Sequence, residues 1–267
     1  MTVKKNKQKI EKVSKPYLQG DMYDRTTIPG AIKFFFGMLG MAVAFLIFCV
    51  MLNIDNVWLR VIVNLAIVMA FYLFFAQFGM NAGADAVNQG EIMYARQEKG
   101  RPVADWEKTL CYHPFKGFLS ALIGSVPVVL CALILAFIAK RQMTSLGSLP
   151  AWVTTFEGRE EIGGALTYYH VVDGMSLETI LRLIVRMTIM PFVNIVGAEN
   201  MDAMLTLERV SPVLNLLPAV IYGVGYMRGV SVRTSVHTDI ALGKKKAKRK
   251  QAKERRARVQ RTPNQLN

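Results

Sequence analysis

Acid is the scarce charge in this sequence: 19 Asp and Glu stand against 33 Lys and Arg, leaving a formal net charge of +14. Cysteine and histidine are rarer still, at 3 each. An odd number of cysteines, with Cys49 and Cys131 inside apolar runs and Cys111 in a polar loop, implies no disulfide framework. His113, His170 and His237 stand apart, with no Cys, His or carboxylate at ligand spacing, so no metal or other cofactor is expected. The patterns GxSxG, HExxH and GxxxxGK[ST] do not occur, which removes the familiar hydrolase and nucleotide-binding readings. Asp105, Glu107 and His113 share one loop, but solvated loop residues are the expected reading, and the chain is expected not to be an enzyme. There is no NxS/T acceptor for glycosylation.

Apolar residues are plentiful. At 52% hydrophobic and a mean hydropathy of +0.27, the chain holds more than a soluble core needs. The basic charge gathers at the two ends while the middle is nearly balanced, which is the layout of a polytopic membrane protein with basic tails.

Residues 1–33 carry eight Lys and Arg without sustained apolar periodicity and are expected to be a mobile cytoplasmic tail. Residues 34–52 hold no charge, about the length needed to cross roughly 30 Å of hydrocarbon at about 1.5 Å per residue. A second run over 57–78, with Trp58 and Arg60 at its mouth, completes a transmembrane hairpin over 34–78. Residues 79–117 form a polar cytoplasmic loop of balanced charge, in which 84–99 reads as a helix stopped by Gly100 and Pro102. A third span covers 118–139, with Pro127 expected to kink it. The Gly-, Ser- and Thr-rich, net acidic stretch 140–176 is expected to be extracytoplasmic. Residues 177–229 contain an apolar segment with two arginines and then the last span; residues 230–267 are a basic tail expected to be disordered.

Parity limits the topology. If both basic tails are cytoplasmic the number of crossings is even, so one of five apolar stretches fails to cross. The segment 177–198 is the expected exception, because Arg182, Arg186, Pro191 and Asn194 suit an interfacial or re-entrant helix. Each arginine would cost roughly 3 kcal/mol at the centre of a span. Five spans would instead leave thirteen basic residues after position 227 on the outside. The expected fold is an all-α polytopic bundle of four crossings plus one interfacial or re-entrant helix, in the inner (plasma) membrane of a bacterium.

Small residues recur at helix-contact spacing in Gly40-x-x-x-Ala44, Gly79-x-x-x-Gly83 and Gly225-x-x-x-Gly229, and packing within one chain is favoured over oligomerisation. The segment ADAVNQG at 84–90 resembles, loosely and over one short loop, the Glu-Ala-Ala-x-x-x-Gly loop by which permease subunits of binding-protein-dependent ABC importers dock on their ATPase. Ala84 and Asp85 replace the first two motif residues, and GRPV at 100–103 stands where Ile-x-Leu-Pro should follow, so the resemblance assigns no family. It implies at most a docking surface with Asp85, Gly90 and Trp106 as candidate contacts. Arg182 and Arg186 are candidate contacts for an anionic lipid or ligand. The confident spans contain no Asp, Glu or His at depth, which argues against a proton relay.

The tail presents Lys244, Lys245, Lys246, Lys248, Arg249, Lys250, Arg255, Arg256 and Arg258 as candidate contacts for the anionic inner leaflet or for a polyanion. The expected function is a membrane component working through other membrane or cytoplasmic subunits, as an accessory or permease-like part of a transport assembly. The alternative is a membrane tether or biogenesis factor that binds the ribosome or nucleic acid through the tail.

Overall fold

The computed structural model describes residues 13–51, 54, 56–140, 156, 159, 161–162, 176–197 and 200–261, and the side chains of 50, 245, 246, 248, 249 and 255–261 fall outside that description. The helices are α1 (Thr27–Met51), α2 (Val57–Glu98), α3 (Asp105–Thr109), α4 (Lys116–Ile138), α5 (Leu177–Thr188), α6 (Met190–Val196), α7 (Met201–Met227) and α8 (Gly229–Arg261). Among the described residues no strand forms, only one isolated bridge between Gln19 and Tyr112. The chain is all-α, and four of its helical stretches are long and apolar enough to cross a membrane: Thr27–Cys49, Val57–Glu98, Lys116–Ile138 and Met201–Lys244.

The fifth apolar stretch is broken. α5 and α6 meet at 95° around Ile189. Pro191 explains the break, since it has no N–H to donate to a continuing helix but suits the first turn of a new one. Ser176 caps α5 by accepting a hydrogen bond of 3.2 Å from the Thr179 amide. Most of the expected outer loop, 140–176, lies outside the described residues.

Two compact units divide the chain; α1, α2, α4 and α7 each contribute to both, and α8 falls in one. The unit of residues 30–74 and 121–220 has an apolar core of Ala132, Leu135, Ala139, Leu181, Val185 and Ile189, against which Phe192, Leu205 and Leu214 pack. Within it α1 and α4 touch at Gly124, where a Cβ would lie 2.4 Å from the Ala31 carbonyl oxygen. The unit of residues 1–29, 75–120 and 221–267 is built on a different contact. There α2 runs against the end of α7 and the start of α8 through glycines. A Cβ on Gly79 would sit 2.1 Å from the Tyr222 carbonyl oxygen, on Gly83 2.2 Å from that of Tyr226, on Gly225 2.3 Å from that of Ala76, and on Gly229 2.3 Å from the Gly83 carbonyl carbon. These four glycines therefore serve contacts inside one chain. Gly40 has nothing within 4 Å, and Ala44 is half-buried.

Three expectations need correction. The second span does not end at 78: α2 continues to Glu98, because Gly79 and Gly83 are held by packing that outweighs their poor helix propensity. The N-terminal segment is not free from residue 13 onward, since the Leu18 amide donates to Gly90 at 3.2 Å and the Gly20 amide to Tyr112 at 3.0 Å. The basic C-terminal segment is helical to Arg261 and not disordered. Its run of Ala, Lys, Arg, Gln and Glu has high helix propensity, and a helix already formed upstream removes the cost of nucleation.

Replacing Gly83 by Val is expected to lower stability by about 1–3 kcal/mol through overpacking, read as the thermal unfolding midpoint in mild detergent. Gly40→Ala is the matched control and leaves the midpoint unchanged or slightly raised.

Candidate functional site

Polar chemistry in the unit of residues 1–29, 75–120 and 221–267 begins with a buried ion pair. The Lys116 ammonium lies 2.7 Å from Asp24 Oδ2, and both side chains are almost fully enclosed, at 7% and 0% exposure. Asp24 precedes the first turn of α1, where its Oδ1 accepts from the Thr26 amide at 3.1 Å and from the Thr27 hydroxyl at 2.9 Å. A carboxylate there meets the positive end of the helix as well as the ammonium. Burial pushes the Asp24 carboxyl up, but Lys116, Thr26 and Thr27 outweigh it and hold the group below its ordinary value. Lys116 also donates to the carbonyls of Thr109 and Leu110, at 3.4 Å each, so the pair ties the segment before α1 to the loop between α3 and α4.

Beside that pair the ring of Tyr112 stacks on Tyr226 with centroids 5.5 Å apart, and Tyr17 meets Tyr112 edge-on at 6.0 Å. Burial pushes the Tyr112 phenol up, and its hydroxyl donates to the Met227 carbonyl at 3.2 Å. Further along α2, Glu91 receives two partners from α8: Arg233 Nε at 3.2 Å and His237 Nε2 at 2.7 Å. Arg233 also donates to Asn88. This network roots α8 on α2.

The arginines of α5 have an acid. Glu208, on α7 and 1% exposed, accepts from Arg182 Nε at 3.2 Å and from Arg186 Nε at 2.9 Å. Glu178 adds a contact of 2.7 Å to Arg182, one helical turn away, and Arg182 donates to the Lys140 carbonyl. Arg182 and Arg186 thus turn to acids of their own chain, with two cations and two carboxylates among the described residues of the cluster. Beside it a groove of about 400 Å³ is lined by Leu46, Ile180, Leu183, Met187 and both arginines.

The other candidates scatter. Asp85 is exposed on α2 and Trp106 is 57% exposed on α3, held among the exposed pairs Arg96–Glu107 and Lys108–Asp105. Gly90 is not available for docking: it is buried, and a Cβ there would sit 2.6 Å from the Leu18 carbonyl oxygen. The segment 84–90 is accordingly a stretch of helix with one side covered by the N-terminal segment. Lys244 and Lys250 are exposed on α8. Lys245, Lys246, Lys248, Arg249, Arg255, Arg256 and Arg258 lie in the same helix, with side chains outside the described residues.

Sequence reasoning missed Glu208, Asp24, Lys116, Glu91 and Arg233. Glu208 alone left a signal, since two arginines one turn apart in an apolar segment call for an acid, and Glu208 is flanked by Leu205, Leu207 and Val210. Comparison with protein-family models, with curated proteins and with solved structures finds no match to this chain.

Glu208→Gln should destabilise the protein by about 1–3 kcal/mol, because it takes the buried carboxylate away from two partly exposed guanidiniums, of which Arg182 keeps Glu178, whereas Arg182→Met, Arg186→Met and Glu208→Leu together should recover most of that loss in thermal unfolding. Asp24 sets an acid limit. Its folded-state pKa is depressed, so its contribution is complete above the unfolded carboxylate value of about 3.9 and is lost as pH falls through the folded value. Asp24→Asn is expected to lower the unfolding midpoint at neutral pH and to flatten its fall between about pH 4 and pH 2.

Proposed function

We propose that this protein is a non-enzymatic membrane component that acts through protein partners, as an accessory or permease-like subunit of a transport assembly in a bacterial plasma membrane. The observation that carries this reading is the folded polar unit of residues 1–29, 75–120 and 221–267. Segments far apart in sequence are fastened there by the buried Asp24–Lys116 pair, the tyrosine stack and the Glu91 network, and Trp106 is left on the surface. A solvated loop needs no such internal fastening. A rigid polar surface with an exposed Trp is what a docking partner uses.

The topology proposed with it has four crossings and both termini cytoplasmic, with α5 and α6 re-entrant or interfacial on the outer side. The 95° break at Ile189 and the pairing of Arg182 and Arg186 with Glu208 support that placement. Arginines engaged by acids of their own chain suit a structural role in lipid better than a site for a charged substrate.

Affinity capture of the tagged protein in mild detergent tests the reading. Membrane or ATPase subunits should be retained by the intact protein and reduced at least about tenfold by Trp106→Ala, the effect of losing an interface anchor. Retention of lipid alone, or partners indifferent to Trp106 and to charge reversal at Asp85, would overturn it.

A further inference from the structure

Among the described residues of α8, tertiary contacts are found on its first turns, ahead of the dense run of Lys and Arg. Its first turns are fastened to α2 and to the N-terminal segment: Val230 joins the cluster of Val87, Tyr112 and Tyr226, Arg233 and His237 bind Glu91, and Thr238 accepts from the Val13 amide at 3.1 Å. Beyond Ile240 the described side chains are exposed or half-buried, and at Gly243 a Cβ would meet nothing within 4 Å. From there 244–261 holds eleven Lys and Arg against one acid, Glu254, and the backbone remains helical.

The helix is also too long to be explained by the bilayer. Met201–Lys244 is 44 residues, about 66 Å at helical rise, twice the roughly 30 Å of hydrocarbon. Its uncharged stretch is 210–227, already about 27 Å, and Arg228 closes it. Measured along the axis from Arg228, Lys244 lies about 24 Å on and Arg261 about 50 Å on. The potential of an anionic leaflet decays within a Debye length of about 8 Å. A helix that carries straight on therefore holds its cations beyond the reach of the lipid charge. Nor can it lie down by partitioning, for 244–261 has no apolar face.

We propose that α8 beyond Ile240 is a nucleic-acid-binding arm that engages the phosphodiester backbone without reading bases. Eleven cations along about 27 Å of helix give one per roughly 2.5 Å, of the same order as the one charge per about 1.7 Å of a duplex. With eleven cations against one acid, the arm binds through the electrostatic attraction of phosphates, the part of nucleic-acid affinity that does not depend on sequence. The inference rests on the cytoplasmic placement proposed above, not on the identity of the docking partner.

The test uses the full chain in nanodiscs of zwitterionic lipid, with labelled 20-base-pair RNA and DNA duplexes followed by anisotropy across a salt series. Binding to either duplex is expected, with log affinity falling linearly in log salt. Changing Lys244, Lys245, Lys246, Lys248, Arg249 and Lys250 to Gln, a good helix former, should weaken it at least about tenfold near 0.15 M salt and flatten the slope. A fluorophore on Gln251→Cys should remain unquenched by headgroup quenchers when about 30% anionic lipid is included. No duplex binding, equal binding by the neutralised variant, or quenching of the Gln251 label with loss of duplex binding in anionic nanodiscs would overturn the proposal. Protein subunits still captured by the neutralised variant would show that the docking reading survives such a failure.

Discussion

The backbones of α2 and of the helix running from α7 into α8 touch at glycine, and the polar half of the protein follows from that contact. With Gly79, Gly83, Gly225 and Gly229 allowing carbonyls to approach where a Cβ would stand, Tyr226 reaches Tyr112 and Gly117, and further along Glu91 meets Arg233 and His237. A larger side chain at any of these positions would separate the helices by more than a hydrogen bond tolerates. Close approach also strengthens van der Waals packing where there is no water to expel.

Charge is handled by pairing. Asp24 and Lys116 are removed from water together, and Glu208 is buried against the partly exposed Arg182 and Arg186; each acid survives burial because the chain supplies its cations and additional donors. Burying such pairs is not a cheap source of stability, since desolvation consumes most of the Coulomb attraction. Their value lies in specificity: an uncompensated charge penalises any arrangement in which α5 and α7, or α4 and the segment before α1, fail to meet.

The basic helix follows the opposite rule. Among its described cations, Lys244, Lys250 and Lys253 are exposed. Like charges along one helix repel, so the helix persists through Ala, Gln and Arg propensity and through its root on α2, and an external polyanion would relieve the repulsion. Fastening at the root and charge at the tip make the arm a presentation device.

Much of the architecture is legible in the sequence. Four long apolar stretches, the stop at Gly100, and the misfit of 177–198 follow from run length, turn chemistry and the cost of arginine in lipid, which are local properties. The same local reasoning misjudged the ends of the chain: residues 13–24 look unstructured until α2 offers Gly90 and Tyr112 as partners, and composition alone gave no weight to a helix propagating from α7 into the tail. Of the sites, the arginines and the basic run could be seen, because residue type marks them. Their partners could not. Asp24 and Lys116 are 92 positions apart, Glu91 and His237 146, and Glu208 lies 22 beyond Arg186. One-dimensional pattern carries which groups must be satisfied, and only the packing of helices decides which group satisfies which, because that depends on distances set by glycine contacts and a proline break rather than on order along the chain.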